Sequence, residues 1–228
     1  ESDNNTELSL DLRWGITPDL LLNATINPDF STIESDSAQL SINNNFALFN
    51  QEKRPFFLDN ADYFSTNFNL VYTRNVNSPD YGAKLTGRRD AHSVGVFVAN
   101  DKDTNVLIPG NNRSTVASLN GKSKNASLRY RYDHSQDLSI GWITTARSGD
   151  DYQNTVNGID SKYRVGKSDV IKGQVIHSTS EYPLDLSANL KNDDDCSENS
   201  PFKNCQFNES ANRTLGDKTY SGTAAKIA

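Results

Sequence analysis

The sequence predicts an all-β protein: an antiparallel up-and-down meander forming part of a transmembrane outer-membrane β-barrel with long external loops. Three observations lead there. Apolar and polar residues alternate through most of the chain, as they do in strands with one apolar and one polar face. Tight turns alternate with long polar excursions, the arrangement of an outer-membrane barrel with short turns at one rim and long loops at the other. Only 35% of the 228 residues are hydrophobic, which is low for a close-packed soluble core. No run of about 18 apolar residues offers a membrane-spanning helix instead.

The alternation starts after Glu7. Leu8, Leu10, Leu12, Trp14 and Ile16 fall on one side, with Ser9, Asp11 and Arg13 on the other. Thr17-Pro18-Asp19 turns the chain, because proline presets the backbone and aspartate can bond its own main chain. Leu20, Leu22, Ala24 and Ile26 then return on the apolar face. Ala38, Leu40 and Ile42 read as a further strand, followed by an inserted stretch over 44–66 that does not alternate. That stretch carries Phe46, Phe49, Phe56, Phe57, Tyr63 and Phe64 around Glu52, Lys53, Arg54, Asp59 and Asp62. It reads either as a loop covering a barrel end or sheet edge, or as an inward-folded constriction or ligand-contacting surface.

Strands resume at Phe68-Leu70-Tyr72, then Tyr81-Ala83-Leu85, then Val94-Val96-Val98. The region 101–113 reads as a polar loop. Ala126-Leu128-Tyr130-Tyr132, Leu138-Ile140-Trp142, 159–165 and 170–178 continue the meander, and 218–228 alternates again. Gly166-Lys167-Ser168 resembles the end of a phosphate-binding loop. The position of its leading glycine is Ser161, however, and strands flank it where a helix should follow, so it reads as a hairpin turn. The count comes to about eleven strands of lengths that suit tilted membrane strands. An odd number and an open last strand imply further strands beyond residue 228 and before residue 1, so 1–228 is read as one incomplete barrel segment. The first residues lack a signal-peptide pattern, so the chain is expected to begin after processing or within a longer protein.

Asn27-Pro28-Asp29-Phe30-Ser31, Glu52-Lys53-Arg54-Pro55-Phe56-Phe57-Leu58 and Gly82-Ala83-Lys84-Leu85-Thr86-Gly87-Arg88 resemble an uncharacterised bacterial outer-membrane β-barrel family. Its members are usually found C-terminal to a domain like carbohydrate-binding module family 9. The resemblance runs over roughly residues 7 to 100 and implies no catalytic activity. It implies the outer membrane of a Gram-negative bacterium, with lipid and lipopolysaccharide around the chain and glycans as candidate ligands.

The face opposite the apolar stripe carries Arg129, Arg131, Asp160, Lys162, Arg164, Lys172 and Gln174, a poor core but a suitable water-facing lining. Trp14, Tyr72, Tyr81, Tyr132 and Trp142 lie near strand ends, where aromatic side chains sit at lipid headgroups or pair across strands in a soluble sheet. The candidate ligand contacts are Arg54, Phe56, Phe57, Arg129 and Arg131. The 44–66 stretch is expected at the short-turn rim, where it could fold into the lumen.

A net charge of −6 and a pI near 5.1 argue against nucleic acid as a partner, since phosphate binding needs concentrated Lys and Arg. Within the long polar excursion 179–217, Cys196 and Cys205 suggest a local disulfide, or two independent thiols. Asp193, Asp194, Asp195 and Glu198 beside them could offer oxygens to Ca²⁺, but no spacing matches a calcium loop, and the ordinary reading is a solvated acidic surface. No other cofactor is expected. His92, His134 and His177 are too scattered to form a metal set. Two functions stand: a channel or surface receptor for glycans or oligosaccharides, and a soluble secreted β-sheet module that binds carbohydrate or protein through aromatic loops. No catalytic set is expected.

Overall fold

A computed structural model describes residues 8–28, 51–76, 78–102, 104–108, 115–119, 121–149, 152–167, 169–182 and 219–228. The expected antiparallel meander is present as one open sheet. Its nine strands run in sequence order: β1 (Leu10–Thr17), β2 (Leu20–Ile26), β3 (Pro79–Arg89), β4 (His92–Asp101), β7 (Ser123–Asp133), β8 (Leu138–Ser148), β9 (Gln153–Val165), β10 (Asp169–Glu181) and β11 (Thr219–Ile227). β5 (Thr104–Ile108) and β6 (Thr115–Leu119) form a separate hairpin between β4 and β7. β5 lies within the region 101–113 read as a polar loop, and β6 lies beyond it.

Every turn at one rim is tight. Pro18-Asp19 joins β1 to β2, and Asp90-Ala91 joins β3 to β4, with Asp90 at φ 53°. Residues 134–137 join β7 to β8, where the Ser135 hydroxyl accepts from the amides of Asp137 and Leu138. Gly166, at φ 74°, starts the turn from β9 to β10; the left-handed region costs glycine nothing. The long connections 27–78, 102–122 and 182–218 all leave from the opposite rim. The proposed Cys196–Cys205 pair and the acidic run Asp193, Asp194, Asp195 and Glu198 fall outside the described residues, as does the strand expected at 38–42.

Two expectations need correction. Phe68-Leu70-Tyr72 is not a strand: the Phe68 amide donates to the Gln174 side chain at 2.8 Å, and Thr73–Asn75 is a 3-10 turn. Among the described residues, no strand lies beside it to take up a ladder, so its alternation has no sheet to act on. Among the described residues the main sheet has nine strands, without 68–72 and without the expected strand at 38–42, which is not described. The 44–66 stretch also belongs to the long-connection rim, because β2 runs directly to β3 in the sheet.

Register fixes the faces. Trp14, Leu22, Leu85, Val96 and Leu128 form one cross-strand row, and Gly87, Val94, Tyr130, Trp142, Ile159 and Val175 form another. This apolar face is open: Ile159 is 62% exposed, Trp14 55% and Val175 54%. The other face holds the row Arg131, Gly141, Asp160, Gln174 and Lys226, and beside it Asp133, Ser139, Lys162 and Lys172. On this polar face Thr86 is 2% exposed and Lys84 3%. The polar side is thus the covered one over β2–β4, while Lys162, Arg164 and Lys172 on the same side stay exposed.

Candidate functional site

The cover is residues 51–76, which fold onto the polar face. Pro at the first helical position starts a single turn over Pro55–Leu58, and a 3-10 turn follows over Ala61–Phe64. Proline suits that position because its missing N–H has no helical partner to lose. Phe57, Phe64 and Val76 from the segment pack with Phe97 and Ala99 of β4, and Phe56, Tyr63 and Val71 border them. Phe57 meets Phe97 edge-on at 5.9 Å between ring centres. The rings approach because the sheet is bare beneath them. A Cβ on Gly82 would lie 3.0 Å from the Phe56 ring, and one on Gly95 would lie 3.0 Å from the Phe64 ring. Glycine in a strand often marks such a close approach.

Inside the segment, Glu52 and Arg54 tie its start to its end. The Glu52 carboxylate accepts from Nε and Nη2 of Arg54, both at 2.8 Å, and from the Thr73 hydroxyl at 2.7 Å. Arg54 also donates to the carbonyls of Val76 at 2.6 Å and Thr73 at 3.0 Å. Its guanidinium lies 4.1 Å from the centre of the Phe57 ring. Burial alone would push the Glu52 carboxyl up, but the hydrogen bonds from Arg54 and Thr73 outweigh it and bring the group down to about 2. Glu52 is therefore ionised throughout the ordinary pH range.

The sheet holds the segment from both sides. Lys84 of β3 donates to the carbonyls of Phe56, at 2.7 Å, and Asp59, supplying a cation where the short helical turn ends. Asn23 donates to Asp59 at 2.6 Å, and Asn60 donates to Thr86 at 2.8 Å. At the far side Gln174 accepts from Phe68, and Lys226 donates to the Asn67 carbonyl at 3.1 Å. Between segment and sheet lies a cavity of about 320 Å³, with Phe57, Phe64 and Phe97 among its walls and Asp62, Tyr72 and Lys84 supplying polar groups.

The expected contact residues divide. Arg54 is fully buried and Phe57 is 3% exposed, so both spend their interactions inside the protein. Arg129 is buried over Gly141 and forms a bidentate pair with Asp160. Phe56 is half-buried against Phe57. Arg131 is the most exposed of the three expected contact arginines, with its Nε 3.2 Å from Asp133. Lys84 was not singled out as a site residue by the sequence, although it organises the covered half. Also unanticipated is a chain of tyrosines at the long-loop rim, Tyr152, Tyr182 and Tyr220, with ring centres 5.4 and 6.0 Å apart. Burial, reinforced by neighbouring Tyr182, pushes the Tyr152 hydroxyl up to about 12. These three are distant in sequence, and nothing local links them.

Residues 1–107 are similar to a domain of unknown function, DUF5916. No curated protein and no solved structure matches the chain.

Proposed function

We propose that this chain is a segment of an outer-membrane β-barrel of a Gram-negative bacterium, serving as a channel or surface receptor for glycans, with residues 51–76 folded into its lumen. One observation carries the reading: the polarity of the sheet is inverted. Large apolar side chains on β1, β8, β9, β10 and β11 lie open on one face, while lysine, asparagine, threonine and arginine are buried on the other. In water such an apolar face would be costly, at roughly 25 cal/mol per Å². Hydrocarbon, with lipopolysaccharide at its outer edge, removes that cost.

The segment's reach supports a curled sheet. It bonds Asn23 on β2 through Asp59 and Lys226 on β11 through Asn67. A flat sheet would set those strands about 34 Å apart, at seven spacings of about 4.8 Å. Eight residues span about 27 Å when fully extended, and here a 3-10 turn shortens them further. Tight turns at one rim and long connections at the other fit the periplasmic and external ends. Among the described residues the outer strands β1 and β11 each have a single neighbour in the sheet, and in this reading additional strands close the ring. The glycan assignment rests on the aromatic and polar cavity, whose character suits a sugar ring and its hydroxyls.

The test is refolding. The purified chain is expected to regain β structure only with detergent or lipid and to partition with the detergent phase. A monodisperse, folded protein in plain buffer would sink the barrel reading and leave the soluble glycan- or protein-binding module.

A further inference from the structure

We infer that the polar face of β9 and β10, between residues 51–76 and the tight-turn rim, is an anion-binding lining, and that the solute it handles is anionic. Under the glycan reading this solute is an acidic oligosaccharide. The inference rests on the proposal that this face lines a water-filled lumen, and it adds the charge of the ligand.

Lys162 of β9 sits directly opposite Lys172 of β10 on this face, with Ser139 on the other side of Lys162. Arg164 follows one step nearer the rim. Like charges facing each other across a strand pair are destabilising, and three exposed cations in adjacent rows call for counter-charge. Of the nearby acids, Asp160 is committed to Arg129, and Asp133 to Arg88 at 2.9 Å and Arg131 at 3.2 Å, while Asp137 meets Arg164 through the backbone, its carbonyl accepting from the Arg164 amide at 2.8 Å. Asp169 lies on the opposite, apolar face, paired with Val165. Among the described residues, no carboxylate lies within ion-pair distance of Lys162, Arg164 or Lys172.

The open part of the lining therefore carries cations in excess of the carboxylates that pair with them, in a chain whose overall charge is −6. Multiple fixed cations in a low-dielectric channel wall concentrate anions and exclude cations.

The experiment uses the full chain in detergent, titrated calorimetrically at low ionic strength with trigalacturonate and with neutral maltotriose. Trigalacturonate is expected to bind with an affinity that falls steeply as salt rises, and maltotriose at least tenfold more weakly. The variant Lys162→Gln/Arg164→Gln/Lys172→Gln is expected to lose tenfold or more for trigalacturonate alone. Absence of binding, equal binding of the two sugars, or an unchanged affinity in the variant would each overturn the anion site. Refolding of both proteins is scored alongside. Detergent-dependent folding without charge-selective binding refutes this inference and leaves the barrel standing, whereas folding in plain buffer refutes the barrel itself.

Discussion

Lys84 and Lys172 project from the same face of the same sheet and meet different fates. Lys84 lies under residues 51–76, 3% exposed, its ammonium bonded to the carbonyls of Phe56 and Asp59. Lys172 stands in the open, facing Lys162. The β2–β4 half of the face has been dried by a segment that brings its own apolar residues and presents carbonyls to the strands. The β9–β10 half near the tight turns has been left to water. A polar strand face thus acquires a core without becoming apolar, provided that each buried donor finds an acceptor.

The largest test of that contrast is Phe57→Ala. Removing this ring should destabilise the covered half by about 3–5 kcal/mol. Hydrogen exchange should then accelerate at the Asp59 and Ser65 amides while β9 and β10 stay protected; uniform acceleration would erase the distinction. Next, Ile140→Arg should cost about 2–4 kcal/mol if the residue lies near the bilayer midplane. Ser139→Arg, on the polar face, should cost much less. Equal refolding yields of the two would remove the assignment of the faces.

Acid should act on the covered half. Glu52 ordinarily titrates at 4.5 and is held down to about 2 in the fold. Its contribution is therefore complete above pH 4.5 and is lost as pH falls toward 2. The loss is at most about 3 kcal/mol, read as protease sensitivity within 51–76, and Glu52→Gln should flatten the profile. A smaller effect belongs to Asn60→Ala, which removes the bond to Thr86 and should cost about 1 kcal/mol. Smallest of all, Lys172→Gln should leave stability unchanged or raise it by a few tenths of a kcal/mol, because it relieves the facing lysines. A substantial loss would show Lys172 to be held as Lys84 is.

Much of the sheet was legible because alternation is local. Leu128, Tyr130, Leu138, Ile140 and Trp142 fell on one face and Arg129, Arg131 and Ser139 on the other, as read from a period of two. Phe68-Leu70-Tyr72 obeys the same rule, yet its amide bonds a glutamine side chain 106 residues away; whether a strand is available beside a stretch is not a local property. Lys84 and Lys172 look alike in their own strands for the same reason. One clue was there to be used: Gly82 and Gly95 on the polar face mark where rings descend.

The order of assembly follows from how β2 meets β3. The neighbours β1–β2, β3–β4, β7–β8, β8–β9 and β9–β10 are linked by turns of a few residues, whereas β4–β7 and β10–β11 are joined by the long connections 102–122 and 182–218. The β2–β3 pairing likewise closes a connection of about 50 residues, with the entropic cost of a long loop to overcome before any ladder bond forms. The local hairpins are therefore expected to form first, with the β1–β2 unit joining late. Asn23 on β2 and Thr86 on β3 both bond the segment, through Asp59 and Asn60, so zipping β2 onto β3 and seating residues 51–76 become a single kinetic event. In pulse-labelling during refolding, amides of β8 and β9 should gain protection first, with β2 and the segment gaining theirs later and together.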